Sequence, residues 1–261
     1  MNAHLSNAEA RQLGLPGSDV FRATHICYVN EINRKCGASQ LYMEALNAFS
    51  QAYPIRHRSS LMQERQANQR YCEKGGLFSN EPMPSTPAIF ESLRQANLSH
   101  LLIATGFELA LKGILLEKGY VLQIIQDHHR YQDLCKRQRN QPIAAGEIIA
   151  IDEFRFDGNI NYLPGLRDKT IGFSTIVENK AYRDVLTLDD ITLDIIDACR
   201  ALRNEIHFPG EMPDGALKRL QNVDVAEFVI EFVNSHIIPR INAIRQEYDW
   251  LGQPLTSWPW L

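Results

Sequence analysis

The chain has 261 residues, 44% hydrophobic and 22% charged, which is enough apolar material for one large or two small globular cores. Its net charge of −4 excludes a general attraction to nucleic acid, so any RNA contact has to come from a local patch or from basic surface gathered across an oligomer. Cys27, Cys36, Cys72, Cys135 and Cys199 are odd in number and hold no Cys-x-x-Cys pair, which speaks against a disulfide framework or zinc site and for free thiols in a reducing compartment.

In chain order, residues 1–80 form an N-terminal helical extension. Its clearest helix runs from Gln40 to Tyr53 through Leu41, Ala45, Leu46 and Phe49, with Pro54 expected to end it. The trio Arg56-His57-Arg58 reads as a solvated loop with some capacity for phosphate, and a polar helix is expected from Ser59 to Cys72. Residues 81–87, rich in proline, are a linker. Met1–Ala10 has no apolar core and no later run is expected to span a membrane, so the expected location is cytoplasmic.

A strong helix is expected over Ala88–Lys118, with Leu93, Leu101, Ala104, Phe107, Leu111 and Leu115 on its core face. A basic helix follows from His128 to Arg139. Its Arg130, Lys136, Arg137 and Arg139 are a candidate surface for an RNA backbone, with a solvated helix face as the plainer reading. Asp127, His128 and His129 lack the one-turn spacing of helical metal ligands, and no metal site is expected. About residues 141–186, Glu147–Ile151 and Thr170–Val177 are rich in β-branched and aromatic residues and turns fall at Asp157-Gly158-Asn159 and Pro164-Gly165, which suggests a small β-containing insertion. A helix over residues 187–208 and a last one over Val223–Tyr248, kinked or divided at Pro239, complete the pattern before an aromatic tail, residues 251–261.

The most informative segment is Cys199 to Gly210. Leu188, Ile191, Ile195, Cys199, Leu202 and Ile206 recur at helical intervals as a buried stripe. At about 100° per residue, Arg200, Arg203, Asn204 and His207 then share a sector of roughly 100° beside it. Arginine forks bind phosphate oxygens and a histidine exchanges protons near neutrality, so the set offers acid–base catalysis with charge stabilisation. Asn204 suits orientation of the imidazole or contact with a ribose hydroxyl. The plainer alternative is that Arg200 and Arg203 pair with Asp197 and Glu205 and complement the helix dipole.

These residues resemble the HEPN superfamily, whose motif is an arginine, often followed by a polar residue such as asparagine, and then a histidine near the end of a bundle helix, with four to six residues between the arginine and the histidine. Arg200 has six residues before His207, whereas Arg203-Asn204 has the expected dipeptide but only three. The pattern is thus split between two arginines. Ser99–Gly119, with Glu108 and Lys112 one turn apart, is similar to an early HEPN helix, and His128-His129 followed by Leu134 to the opening of the next. Glu108 and Lys112 also have the spacing of an ordinary helical ion pair.

The resemblance covers about residues 88–250 and implies a mainly α fold. Its antiparallel four-helix bundle would use residues 88–119, 128–139, 187–208 and 222–247. It further implies a metal-independent, cofactor-free endoribonuclease that leaves a 2′,3′-cyclic phosphate. Expected partners are RNA, a second copy in a homodimer whose motif helices face each other, and an antitoxin or other defence-system component. Ile196 and Leu202 are expected to flank the dimer contact. A HEPN-like interaction or RNA-binding module without cleavage is the alternative.

Overall fold

Two long helices, α1 (Glu31–His57) and α2 (Thr86–Glu117), form the most extensive packing interface among the described residues. The structure, a computed structural model, describes residues 25–57, 86–157, 160–205, 214–248 and 254–255. The expected Ser59–Cys72 helix and the aromatic Trp258-Pro259-Trp260 lie outside them.

The side chain of Asn30 opens α1 by accepting from the Asn33 amide at 2.8 Å. The two helices run antiparallel, since Gly37 meets Leu116, Tyr42 lies against Gly113 and Phe49 against Gly106. A Cβ added at Gly106 or Gly113 would come within 2.5 Å of the Phe49 or Tyr42 ring, so these positions need glycine for close approach. Pro87 sits in the first turn of α2, where its missing N–H costs no helical bond; Thr86 and Pro87 therefore begin the helix rather than end a linker. Gly119, at φ 87°, closes α2 as the amides of Gly119 and Tyr120 bond back to Leu116 and Leu115.

Several expectations change. Pro54 does not end α1, which continues to His57, because near a helix end a proline removes its own donor and leaves the rest of the ladder. Ala38 to Ala52, within the expected N-terminal extension, share one core with α2. Leu98–Glu117 is in fact long and apolar enough to cross a membrane; here it is the central core helix, whose apolar faces meet α1 and later elements.

After α2 come strand β1 (Gln123–Ile125), a 3-10 turn (His129–Tyr131) and a short α3 (Gln132–Gln138). The expected continuous helix from His128 is thus a turn followed by α3, and α3 packs on β1. Buried Gln138 fixes this contact by accepting from the Ile125 amide at 2.8 Å and donating to the Gln123 carbonyl at 2.7 Å.

Next are α4 (Ala145–Ile149), the hairpin β2 (Arg155–Asp157) and β3 (Ile160–Tyr162), β4 (Leu166–Thr170), α5 (Phe173–Glu178) and α6 (Lys180–Leu186). Both segments expected to be β-rich are largely helical: Glu147–Ile149 lies in α4 and Phe173–Val177 in α5. In each, one apolar side is buried over about a helical turn, which overrides β propensity. β4 pairs antiparallel with β1, outside the expected insertion, a match of distant residues that local pattern does not contain.

The motif helix α7 (Asp190–Glu205) runs antiparallel to α2, as Lys118 reaches Thr187 and Arg203 reaches Glu108. Its buried stripe is Leu193, Ile196, Cys199 and Leu202, while Ile191, expected to be inside, is 74% exposed. After α8 (Asp214–Leu220), the last helix is divided into α9 (Val225–Phe232), a π turn (Val233–Ile237) and α10 (Ile238–Glu247). The break falls just before Pro239, whose ring and absent donor disfavour a continuous α ladder. The Phe107 ring of α2 lies 5.1 Å from Phe49 and 5.2 Å from Phe232, joining α1, α2 and α9 in a mainly helical core.

Candidate active site on the last turns of α7

Asp189 starts α7 by accepting from the Thr192 amide at 2.8 Å and the Thr192 hydroxyl at 2.7 Å; these bonds hold its carboxyl below the usual aspartate range. The helix then carries Leu193, Ile196, Cys199 and Leu202 into the core, so Arg200, Arg203 and Asn204 are left on its polar sector.

Arg200 is firmly engaged. Its Nε donates to Asp197 at 2.8 Å and its Nη2 to Glu178 on α5 at 2.6 Å. Arg219 on α8 approaches the other oxygen of Asp197 at 2.8 Å and also bonds the Asp194 carbonyl. Burial alone would raise the Asp197 carboxyl, but the two guanidinium groups outweigh it and leave the group below its ordinary range. Two cations here meet two carboxylates, and the Arg200 side chain is only 14% exposed.

Arg203 is held differently. Its Nη1 lies 2.6 Å from Glu108 on α2, and Lys112 approaches the other oxygen of Glu108 at 2.6 Å. Lys112 also donates to the Thr170 hydroxyl on β4 at 3.0 Å. Burial pushes the Glu108 carboxyl up, yet Lys112 and Arg203 together hold it below the ordinary glutamate value. Among the described residues two cations share one carboxylate here, which leaves a positive excess among them, and the Arg203 side chain is 33% exposed. Asn204 is exposed beside it.

The two arginines therefore do not converge on one point in this arrangement: Arg200 faces α5 and α8, and Arg203 faces α2. The Asp197 pair of Arg200 is the plain alternative read from the sequence, whereas Arg203 is held by Glu108, 95 residues away, and that partner was not foreseen. Glu108 and Lys112 do form the helical ion pair their spacing indicated. Glu178, Arg219 and Thr170 were missed, since only the fold brings them to α7 and α2. His207 lies outside the described residues.

The expected basic surface is divided as well. Arg130 stands 3.5 Å from Asp152, and Arg137 pairs with Glu147 at 2.7 Å. Lys136 and Arg139 are exposed, and among the described residues neither is in an ion pair. The rings of His128 and His129 are 3.9 Å apart, but among the described residues no group of three His, Cys, Asp or Glu side chains is placed to hold a metal. Ile196 and Leu202 are 0% and 3% exposed inside their own chain, so they cannot form the flanks of a dimer contact; the core has already claimed that face.

Lys112 also borders a cleft of about 390 Å³ between α1, α2 and the β1–β4 pair, lined on its apolar side by Leu41, Leu109, Leu116 and Leu122. Glu108 thereby connects the α7 cluster to the wall of this cleft through one buried lysine. No family model, curated protein or solved structure matches the chain.

Proposed function

We propose that the chain is a metal-independent endoribonuclease of HEPN type, acting in the cytoplasm as a toxin or effector of bacterial defence. The observation that carries the reading is the Arg203–Lys112 pair sharing Glu108 beside exposed Asn204, with Arg203 four positions before His207 in the sequence. The HEPN-like antiparallel four-helix bundle belongs to this proposal, with α1 taking the place expected for residues 128–139.

In the proposed reaction a ribose 2′-oxygen attacks the adjacent phosphorus and the bond from phosphorus to the 5′-oxygen breaks. The products are a 2′,3′-cyclic phosphate and a 5′-hydroxyl. The proton lost by the 2′-hydroxyl is balanced by the proton gained by the leaving oxygen, and His207 serves this transfer. Arg203 stabilises the charge that builds on the phosphorane oxygens. Arg200, neutralised by Asp197 and Glu178, is a positioning residue for α7 rather than the principal phosphate ligand. The same helix face across a two-fold axis would gather a second Arg203 and His207 at one groove, offsetting the acidic net charge.

The test is cleavage of RNA by the purified chain beside its His207→Ala variant. An imidazole contribution of about 10²–10⁴ makes that variant nearly inactive, while chelator leaves the wild type active and all-deoxy substrates stay intact. Activity that survives His207→Ala, or that a chelator abolishes, overturns the reading. The second reading, a HEPN-like dimeric module that binds RNA or a protein without cleavage, is favoured by one observation: both motif arginines already have carboxylate partners. RNA binding without product, unchanged by His207→Ala, would select it.

A further inference from the structure

Arg139 and Arg167 both line an open groove of about 430 Å³ on the side of the β1–β4 pair where α3 packs. Among the described residues, Arg130, Arg137, Arg183, Arg200, Arg203, Arg219 and Arg240 each have a carboxylate partner. Arg139 and Arg167 are exposed and, among the described residues, have no ion-pair partner. They come from different elements, the C-terminal end of α3 and strand β4, and they meet at the groove because Gln138 ties α3 to β1 while β1 pairs with β4.

The rest of the lining is specific in character. Ile124 and Ile171 give an apolar wall, Thr175 adds a hydroxyl, and Asp127 is the single carboxylate in the lining. Two unpaired guanidinium forks fit the oxygens of a dianion, which a phosphomonoester presents near neutral pH. A bare phosphate would leave the isoleucine wall in contact with water, and a simple carboxylate would satisfy one fork only. The volume is that of a small-molecule site.

We propose that this groove binds a small organic phosphomonoester, its phosphate held by Arg139 and Arg167 and its compact apolar body seated against Ile124 and Ile171. The site is separate from the α7 cluster. It stands on residues that the nuclease reading does not require, and α5 lies between the two, with Thr175 on the groove and Glu178 on Arg200.

Calorimetry on the full chain with phenyl phosphate as probe tests the proposal, with inorganic phosphate and benzoate as the partial ligands. Saturable binding of phenyl phosphate is expected, about tenfold or more tighter than either partial ligand, since each lacks one half of the recognition. Arg139→Gln and Arg167→Gln should each weaken it about tenfold or more, with unchanged melting temperatures because both side chains are exposed. His207→Ala should bind as the wild type does, so loss of nuclease activity and loss of this site are read separately. Absence of saturable binding, equal affinity for inorganic phosphate, or indifference to both glutamine variants overturns the proposal. Displacement of phenyl phosphate by a 5′-hydroxyl oligoribonucleotide acting through the same arginines also overturns it, because the groove would then be part of an RNA track.

Discussion

Arg200 and Arg203 are three residues apart on one helix and live in opposite electrostatic circumstances. On the Arg200 side, Arg200 and Arg219 meet Asp197 and Glu178, so charge is balanced and the guanidinium is mostly covered. On the Arg203 side, among the described residues, Arg203 and Lys112 divide one carboxylate, Glu108, and the Arg203 side chain keeps a third of its surface exposed. A charge-balanced cluster has little left to offer an incoming phosphate, whereas an under-neutralised one gains by accepting it. Arginines that look equivalent in the sequence are thus separated by what faces them across the fold.

The largest expected effect breaks this comparison directly. If the chain is the ribonuclease proposed above, Arg203→Ala should lower RNA cleavage by about 10²-fold or more, as loss of a donor to developing charge does, while Arg200→Ala should lower it less than about tenfold. Single-turnover rates at saturating RNA check this, and equal losses for the two variants would erase the distinction.

Next in size is a structural perturbation confined to the Arg203 side. Gly106→Ala drives a methyl group into the Phe49 ring two residues from Glu108, and overpacking of this kind costs about 1–3 kcal/mol. Urea denaturation measures it. A variant as stable as the wild type would show that α1 and α2 separate more easily than the close approach implies.

The α7 cap gives a smaller effect on the shared scaffold. Asp189→Ala leaves the Thr192 amide without its acceptor and should cost about 1 kcal/mol, seen as a modest fall in melting temperature.

Finally, the carboxylates distinguish the two sides by pH. Glu108 and Asp197 both have folded values held below their ordinary 4.5 and 3.8. Each therefore contributes stability that is present above its ordinary value and lost as pH falls through the depressed folded value. Glu108→Gln should be less stable than the wild type near pH 7, and the gap should close as the pH falls below 4.5. Asp197→Asn should keep its gap to lower pH, closing only below 3.8. Denaturation midpoints across pH 2–7 record both, and a gap that persists unchanged down to pH 2 would show that the carboxylate concerned does not stabilise its cluster through its charge.

How much of this was legible beforehand varies with the kind of residue. The helical character of residues 88–118, the Glu108–Lys112 pair and the Arg200–Asp197 pair are all set by spacing along one helix, so the sequence contains them. The end of α2 at Gly119 and the break near Pro239 follow from what glycine and proline permit. The core stripe of α7 was read one step out of place at its start: Ile191 has the periodicity of a core residue but is 74% exposed, whereas Leu193 and Ile196 are buried.

By itself, then, the sequence determined a mainly α chain and the order of its principal helices, and it placed two arginines and an asparagine on one polar sector, because helical periodicity is local. Tertiary structure alone decided that α1 joins the core through Gly106 and Gly113, that β1 finds β4, and that Glu108 meets Arg203 across 95 residues. Those are choices among distant partners, made by shape and charge complementarity between elements, and a side chain's neighbours across the fold leave no trace in the spacing of its own segment.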